Sequence, residues 1–265
     1  MVYKRLRSGK YINSDEMADL SFSAKEQIFE SVRNQFVETI KLPAEYSDVS
    51  DNVNSMGYSI LRISRNLNEY CEIISGKCFF RKEKMEIAKT FLNLCEASKE
   101  FFKKKDINLV FKTESENIFV KTDREKFYYA VLNVLLNAAE NTPRGGKVRV
   151  VLSKTKKFAK IAISDNGTGM DEETVLHCFE PFFSKSGYLG KQKMGIGLTL
   201  AHWFVSENKG RIHISSEKGK GTTVYMLIPL LEKEEAGLSV EAPVPDILGG
   251  KFSPVSIMLS GIEKE

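Results

Sequence analysis

The segment "ISDNGTGM", Ile163 to Met170, closes an apolar alternation with Ser-Asp and then turns on Gly167 and Gly169. Two further bends, "MGIGL" at Met194 to Leu198 and "GKGTT" at Gly219 to Thr223, also set glycine against an apolar run. Glycine accepts positive φ and lets backbone come close to a ligand. Asp165 stands at a strand end, where its side chain points over the rim of a sheet. A carboxylate there can accept a hydrogen bond from an exocyclic amine such as that of adenine. Asn-Gly is also a common turn, so this segment alone leaves both readings open.

The flanking sequence supplies the sheet. "KVRVVLS" and "FAKIAIS" alternate apolar and polar residues and are joined by a lysine-rich hairpin loop. "NLVFK", "IFVKT", "RIHISS" and "TTVYMLIPL" read as further strands, and "FFRKEKMEI" as a short one. Helices are expected over 88–104, over Asp123–Asn141 with Asp123 as N-cap, briefly over Glu172–Cys178, and over Gly197–Asn208. Strands in mixed order with three main helices predict an α+β fold, a two-layer α/β sandwich with one sheet face covered and the other largely open.

Ahead of this unit the period changes. Residues 1–20 lack periodicity and read as a tail. Ile28, Val32, Phe36 and Ile40 mark one helical stripe, which Pro43 ends. Val53, Met56, Ile60, Ile63, Leu67, Tyr70 and Ile74 then alternate spacings of three and four, an a/d seam. The two helices form an antiparallel hairpin over 21–77, and the length of the seam favours a homodimeric four-helix bundle. Packing of the hairpin on its own chain's α/β unit is the alternative. The α/β unit covers 78–231. Residues 232–265 read as a linker followed by "KFSPVSIML", a lone strand that would dock on a sheet edge.

Composition narrows the class. Formal net charge is +4, no basic block interleaves with aromatics, and nucleic-acid binding is not expected. No signal peptide and no apolar run of about 20 residues is present, so a cytoplasmic chain without a membrane span is expected. The cysteines Cys71, Cys78, Cys95 and Cys178 show no C-x-x-C pair and read as reduced, mostly buried thiols.

Two more features carry chemistry. "GIGL" precedes a helix, whose N-terminal N–H groups make an anion site. The loop before it, with Lys185, Lys191 and Lys193, reads as a phosphate lid or as a solvated lysine loop. Asn133 and Asn137, four apart in an apolar helix, share one face and need polar partners. Such amides suit a Mg²⁺ held mostly by phosphates and water, or can cap core backbone.

Taken in order, "NVLLNAAENT", "DNGTGM", "FEPFF" (Phe179 to Phe183), "GIGL" and "GKGTT" resemble the N, G1, F, G2 and last glycine boxes of the ATP-binding domain of sensor histidine kinases. That domain belongs to a superfamily with DNA gyrase, the Hsp90 chaperone and MutL. The resemblance runs from about Leu109 to Pro229. It implies a Bergerat-type sandwich binding ATP with Mg²⁺. It implies Asp165 on adenine N6, Asn137 on Mg²⁺, and Gly167, Gly169, Gly195 and Gly197 shaping pocket and lid. Leu198, Thr222 and Lys185 join the implied nucleotide contacts. The hairpin resembles the family's dimerisation and phosphoacceptor module, which implies a response regulator or partner kinase.

The pattern breaks at the acceptor. The chain has three histidines, His177, His202 and His213, and residues 1–176 contain none. In a loose alignment, "SFSAKEQI" falls where the family's acceptor motif is expected. Phe22 then takes the histidine's slot and Gln27 replaces a proline. A phenyl ring has no nitrogen lone pair and cannot form a phosphoramidate. Asn133 occupies the catalytic position where the superfamily's ATPases carry a water-activating glutamate, and an amide is no general base. Glu140 stands where many kinases place lysine. The sequence therefore points to a histidine-kinase-like, ATP-binding signalling protein without a hairpin acceptor, transferring phosphate in trans. A nucleotide-sensing module without chemistry is the alternative, and a serine kinase of the anti-sigma type is a weaker third.

Overall fold

The computed structural model describes residues 49–114, 117–183, 194–231 and 253–260. The first hairpin stripe, Phe22 and the loop lysines Lys185, Lys191 and Lys193 lie outside them. In chain order the elements are α1 (Val49–Ile74), β1 (Glu83–Glu86), α2 (Ile87–Lys104), β2 (Asn108–Thr113) and β3 (Phe119–Thr122). Then come α3 (Arg124–Asn141), β4 (Lys147–Lys154), β5 (Phe158–Asp165), α4 (Glu172–His177), α5 (Gly197–Glu207), β6 (Arg211–Glu217), β7 (Gly221–Pro229) and α6 (Pro254–Leu259).

Alternation sorts the strands' side chains onto two faces. Val148, Val150 and Leu152 of β4, Ala159, Ile161 and Ile163 of β5, and Val224, Met226 and Ile228 of β7 are all buried. These strands lie centrally in a five-stranded sheet of order β2-β4-β5-β7-β6. Only β2 and β4 pair in parallel, Asn108 opposite Lys147; the other pairs are antiparallel. β1 and β3 form a separate antiparallel ribbon. Helices α2, α3 and α5 cover the apolar face, and the core they share with the sheet includes Phe91, Phe102, Phe127, Leu132, Leu135 and Phe204. The opposite face of the sheet stays partly exposed, as the alternation requires.

Asp123 caps α3 as expected: Oδ1 accepts from the Lys126 N–H at 3.0 Å, and Oδ2 accepts from the Arg81 N–H at 2.9 Å. The cap fixes where α3 starts, and its apolar residues run on to Ala139 as core.

The expectation of a C-terminal strand is corrected. "PVSIML" is the helix α6, opened by Ser253, whose Oγ accepts from the Ser256 N–H at 3.1 Å, with proline at its first position. Val255, Met258 and Leu259 are buried on one helical face rather than on alternate sides. That stripe joins the core beside α2 and α3, with α1 also in contact. A run this short is ambiguous by period, and the cap decides it.

The seam of α1 also finds a surface in its own chain. Ile63 and Tyr70 are buried with Met194, Ile196 and Leu200, and Leu67, Ile74 and Phe182 pack around them. The Tyr70 and Phe182 rings meet edge to face at 5.2 Å. This part of the seam is thus the packing on the α/β unit that the sequence leaves open as the alternative. Two thiols, Cys95 and Cys178, are buried; Cys71 is exposed and Cys78 half-buried, so the thiols are less uniformly buried than expected.

Met258→Ala removes a fully buried side chain at the α6 contact and should lower stability by about 2–5 kcal/mol in urea unfolding. Leu176→Ala, at an exposed position, should stay within about 0.5 kcal/mol.

Candidate functional site

The site grows from the end of β5. There Asp165 Oδ1 accepts from the Gly167 N–H at 2.9 Å and from the Thr222 N–H at 3.2 Å. One carboxylate oxygen thus ties the "DNGTG" loop to the start of β7. Burial pushes this carboxyl above its usual range, and the backbone N–H groups of Gly167 and Thr222 oppose the shift. The loop is clamped again further along: Thr168 O accepts from Gly219 N at 2.7 Å, and Met170 N donates to Ser216 Oγ at 2.8 Å. Gly169 has φ +63, and a Cβ there would fall on the Glu217 carbonyl. No other residue fits both the conformation and the approach.

Across from this loop, α5 begins at Gly197 without a side-chain cap. An uncapped helix start of this kind can receive an anion. A Cβ on Gly197 would stand 2.9 Å from Asn133 Oδ1, so α5 and α3 meet here at van der Waals limits. Asn133 is buried, and its Oδ1 accepts from Asn66 Nδ2 of α1 at 3.2 Å. Asn137, one turn on and half-buried, accepts at Oδ1 from Asn141 Nδ2 at 3.2 Å.

These pieces enclose a cleft of about 650 Å³. Asn133, Asn137, Gly169, Gly195, Gly197, Leu198 and Thr222, all singled out from the sequence, line it. Asp165 and Gly167 stand beside the lining, holding Thr222 and the loop. Lys185 lies outside the described residues. Sequence reasoning missed Arg62, Ile63 and Asn66 of α1, which also line the cleft. The signal available was weak: two polar residues four apart beside an apolar seam, which usually means a solvated flank. Glu140 is a lining residue too.

The histidines lie away from this lining. His177 Nδ1 lies 2.9 Å from Glu180 Oε1 at the surface. His202 packs on Phe179, and burial lowers its pKa. His213 stacks on Tyr225 at 4.5 Å. The Cys178 thiol, at the cleft wall, is pushed up to about 12 by burial and so stays protonated near neutral pH. No group of three or more His, Cys, Asp or Glu gathers to hold a metal among the described residues. The lining offers the amides of Asn133, Asn137 and Asn141 and the carboxylates of Glu140 and Asp171, a set that fits a Mg²⁺ bound mainly through phosphate and water, not one caged by protein.

A mixed five-stranded sheet covered on one face by helices, with a glycine-bounded cleft at the strand ends, is consistent with a Bergerat-type fold. Residues 122–232 match the family of histidine kinase-, DNA gyrase B- and HSP90-like ATPases. The chain resembles curated proteins that include sensor histidine kinases. It is 27% identical over 194 residues to the sensor histidine kinase YvrG of Bacillus subtilis (strain 168), covering 69% of this chain and 33% of that one. It is 33% identical over 125 residues to sporulation kinase D of the same organism, covering 47% and 24%. The chain thus spans a third or less of these relatives. Among solved structures, histidine kinase ThkA in complex with response regulator protein TrrA has a TM-score of 0.62 at 18% identity, over 86% of this chain and 65% of that one. Full-length ShkA in complex with AMPPNP has a TM-score of 0.60 at 18% identity, over 82% and 46%. These two likenesses are likenesses of fold. No helix among the described residues is long and apolar enough to cross a membrane.

Asp165→Asn keeps Oδ1 as an acceptor and removes the buried charge. An acid whose pKa is raised by folding costs stability as pH rises through the raised value; below the ordinary carboxylate range that cost vanishes. The variant should therefore unfold at higher urea than the parent at neutral pH, with the gap closing toward about pH 4. A variant less stable at neutral pH would contradict this assignment of the shift.

Proposed function

We propose that this chain binds ATP with Mg²⁺ in the cleft and works as a histidine-kinase-like signalling protein that does not phosphorylate its own hairpin. The carrying observation is convergence: the glycine loops, the uncapped start of α5, and Asn133 and Asn137 all open on one cleft. Asp165 and Thr222 would take the purine, Asp165 through its second carboxylate oxygen. Gly195, Gly197 and Leu198 would receive the phosphates on α5, with Lys185 as a lid cation. Asn137 would hold the Mg²⁺, whose contribution is to neutralise charge on the phosphates. Asn133 would leave water unactivated, which preserves ATP for transfer rather than hydrolysis.

Residues 1–176 contain no histidine, so the acceptor would be a side chain of a partner: a kinase paired through the hairpin, or a response regulator. The part of the α1 seam that precedes Ile63, with the first hairpin helix, would complete a homodimeric bundle. A second reading, a nucleotide sensor without chemistry, is favoured by one contact. The Asn66–Asn133 bond joins α1 directly to the cleft, so nucleotide can act on the hairpin without transferring phosphate.

The chain incubated alone with γ-labelled ATP should yield no acid-labile phosphoprotein; a labelled product would overturn the lost-acceptor reading. Asn137→Ala and Asp165→Ala separate the two functions. A sensor should tolerate loss of the metal contact better than loss of the purine contact, whereas a transferase should lose signalling equally in both.

A further inference from the structure

The cleft contains a cation that the family-like boxes do not supply. Helix α1 runs antiparallel to α3. Glu69 pairs with Lys126 at 2.6 Å, and Asn66 donates to Asn133 at 3.2 Å. One turn earlier on α1 is Arg62, which falls at the level of Asn137, one turn later on α3. Both residues line the cleft. Among its described lining residues only Arg62 and Lys218 are cationic. Lys218 belongs to the β6–β7 turn, next to Gly219, which bonds the "DNGTG" loop at Thr168. Its side chain is exposed there, whereas Arg62 is half-buried and falls level with Asn137.

Arg62 is also anchored. Its Nη1 donates to Met258 O at 3.1 Å and to Ser260 O at 3.5 Å, carbonyls at the C-terminal end of α6. Those carbonyls have no helical N–H ahead of them and accept from a cation readily. A guanidinium has five N–H donors in a rigid plane, so Nη1 can hold α6 while Nε and Nη2 face a second anion. Arg62 lines the cleft in the same conformation that is bonded to α6.

We propose that Arg62 is a phosphate-binding residue of this site, supplied by α1 and oriented by the C-terminal helix α6. The proposal rests on the nucleotide reading above and adds its regulation. Nucleotide in the cleft, α1 on the α/β unit and α6 in its groove share one side chain, so each stabilises the others. By reciprocity, whatever displaces α6 weakens nucleotide binding, and nucleotide holds α6 in place. A partner that captures the C-terminal segment would thereby act on the cleft.

Binding of MgATP, MgADP and adenosine is measured by calorimetry on the full chain and on Arg62→Gln and Arg62→Lys, alongside hydrogen exchange in residues 254–260. Arg62→Gln should weaken ATP roughly tenfold or more, with adenosine changed less than about twofold, and Arg62→Lys should recover part of the loss. MgATP should slow exchange in α6 of the parent and not of Arg62→Gln. Equal loss of ATP and adenosine, an unchanged ATP affinity, or α6 exchange indifferent to ATP would each overturn the proposal. Failure of the parent chain to bind ATP would overturn the nucleotide reading itself.

Discussion

Everything in this molecule is arranged around a helix that cannot be left uncovered. Helix α3 buries Phe127, Tyr128, Val131, Leu132, Val134, Leu135, Ala138 and Ala139 over more than half of its circumference, while Asn133, Asn137 and Glu140 share the remaining face. So wide an apolar face must be enclosed from several directions. The sheet takes one side, and α2, α5, α6 and α1 take the rest. Its amides then become the exception that defines the site. Asn133 is buried and needs partners; it finds Asn66 of α1 and the close approach of Gly197. The cleft opens where the apolar enclosure gives way to these polar groups.

Helix α1 lines the cleft, and α6 is tied to α1 beside it. Ile63 and Tyr70 cover Met194 and Ile196, the residues on either side of Gly195. Arg62 reaches α6 from the same turn of α1. A helix that in isolation reads as one half of a bundle also packs part of its seam against the wall of the cleft. Under the proposed function such a wall has a use: occupancy of the cleft would be felt by α1 whether or not phosphate moves.

Local chemistry was legible in the sequence, and long-range docking was not. The alternating strands, the Asp123 cap, the glycine bends and the pair Asn133 and Asn137 each follow from a pattern within a few residues, and seven of the residues so identified line one cleft. Arg62 and Asn66 were illegible because a polar residue beside a seam looks the same whether it faces solvent or a neighbouring helix. Helix α6 was misread as a strand because six apolar-rich residues satisfy either period, and only the Ser253 cap with Pro254 tips the balance. That Asp165 Oδ1 also joins two loops is a role that only the β5–β7 register reveals.

The central claim is that the cleft at the junction of α1, α3 and α5 receives an adenine nucleotide. Equilibrium dialysis of the full chain against radiolabelled ATP with Mg²⁺ tests it directly. The account predicts saturable retention of one nucleotide per chain, displaced by unlabelled ADP and not by GTP. No retention at millimolar ATP, or retention that GTP displaces equally well, would contradict it.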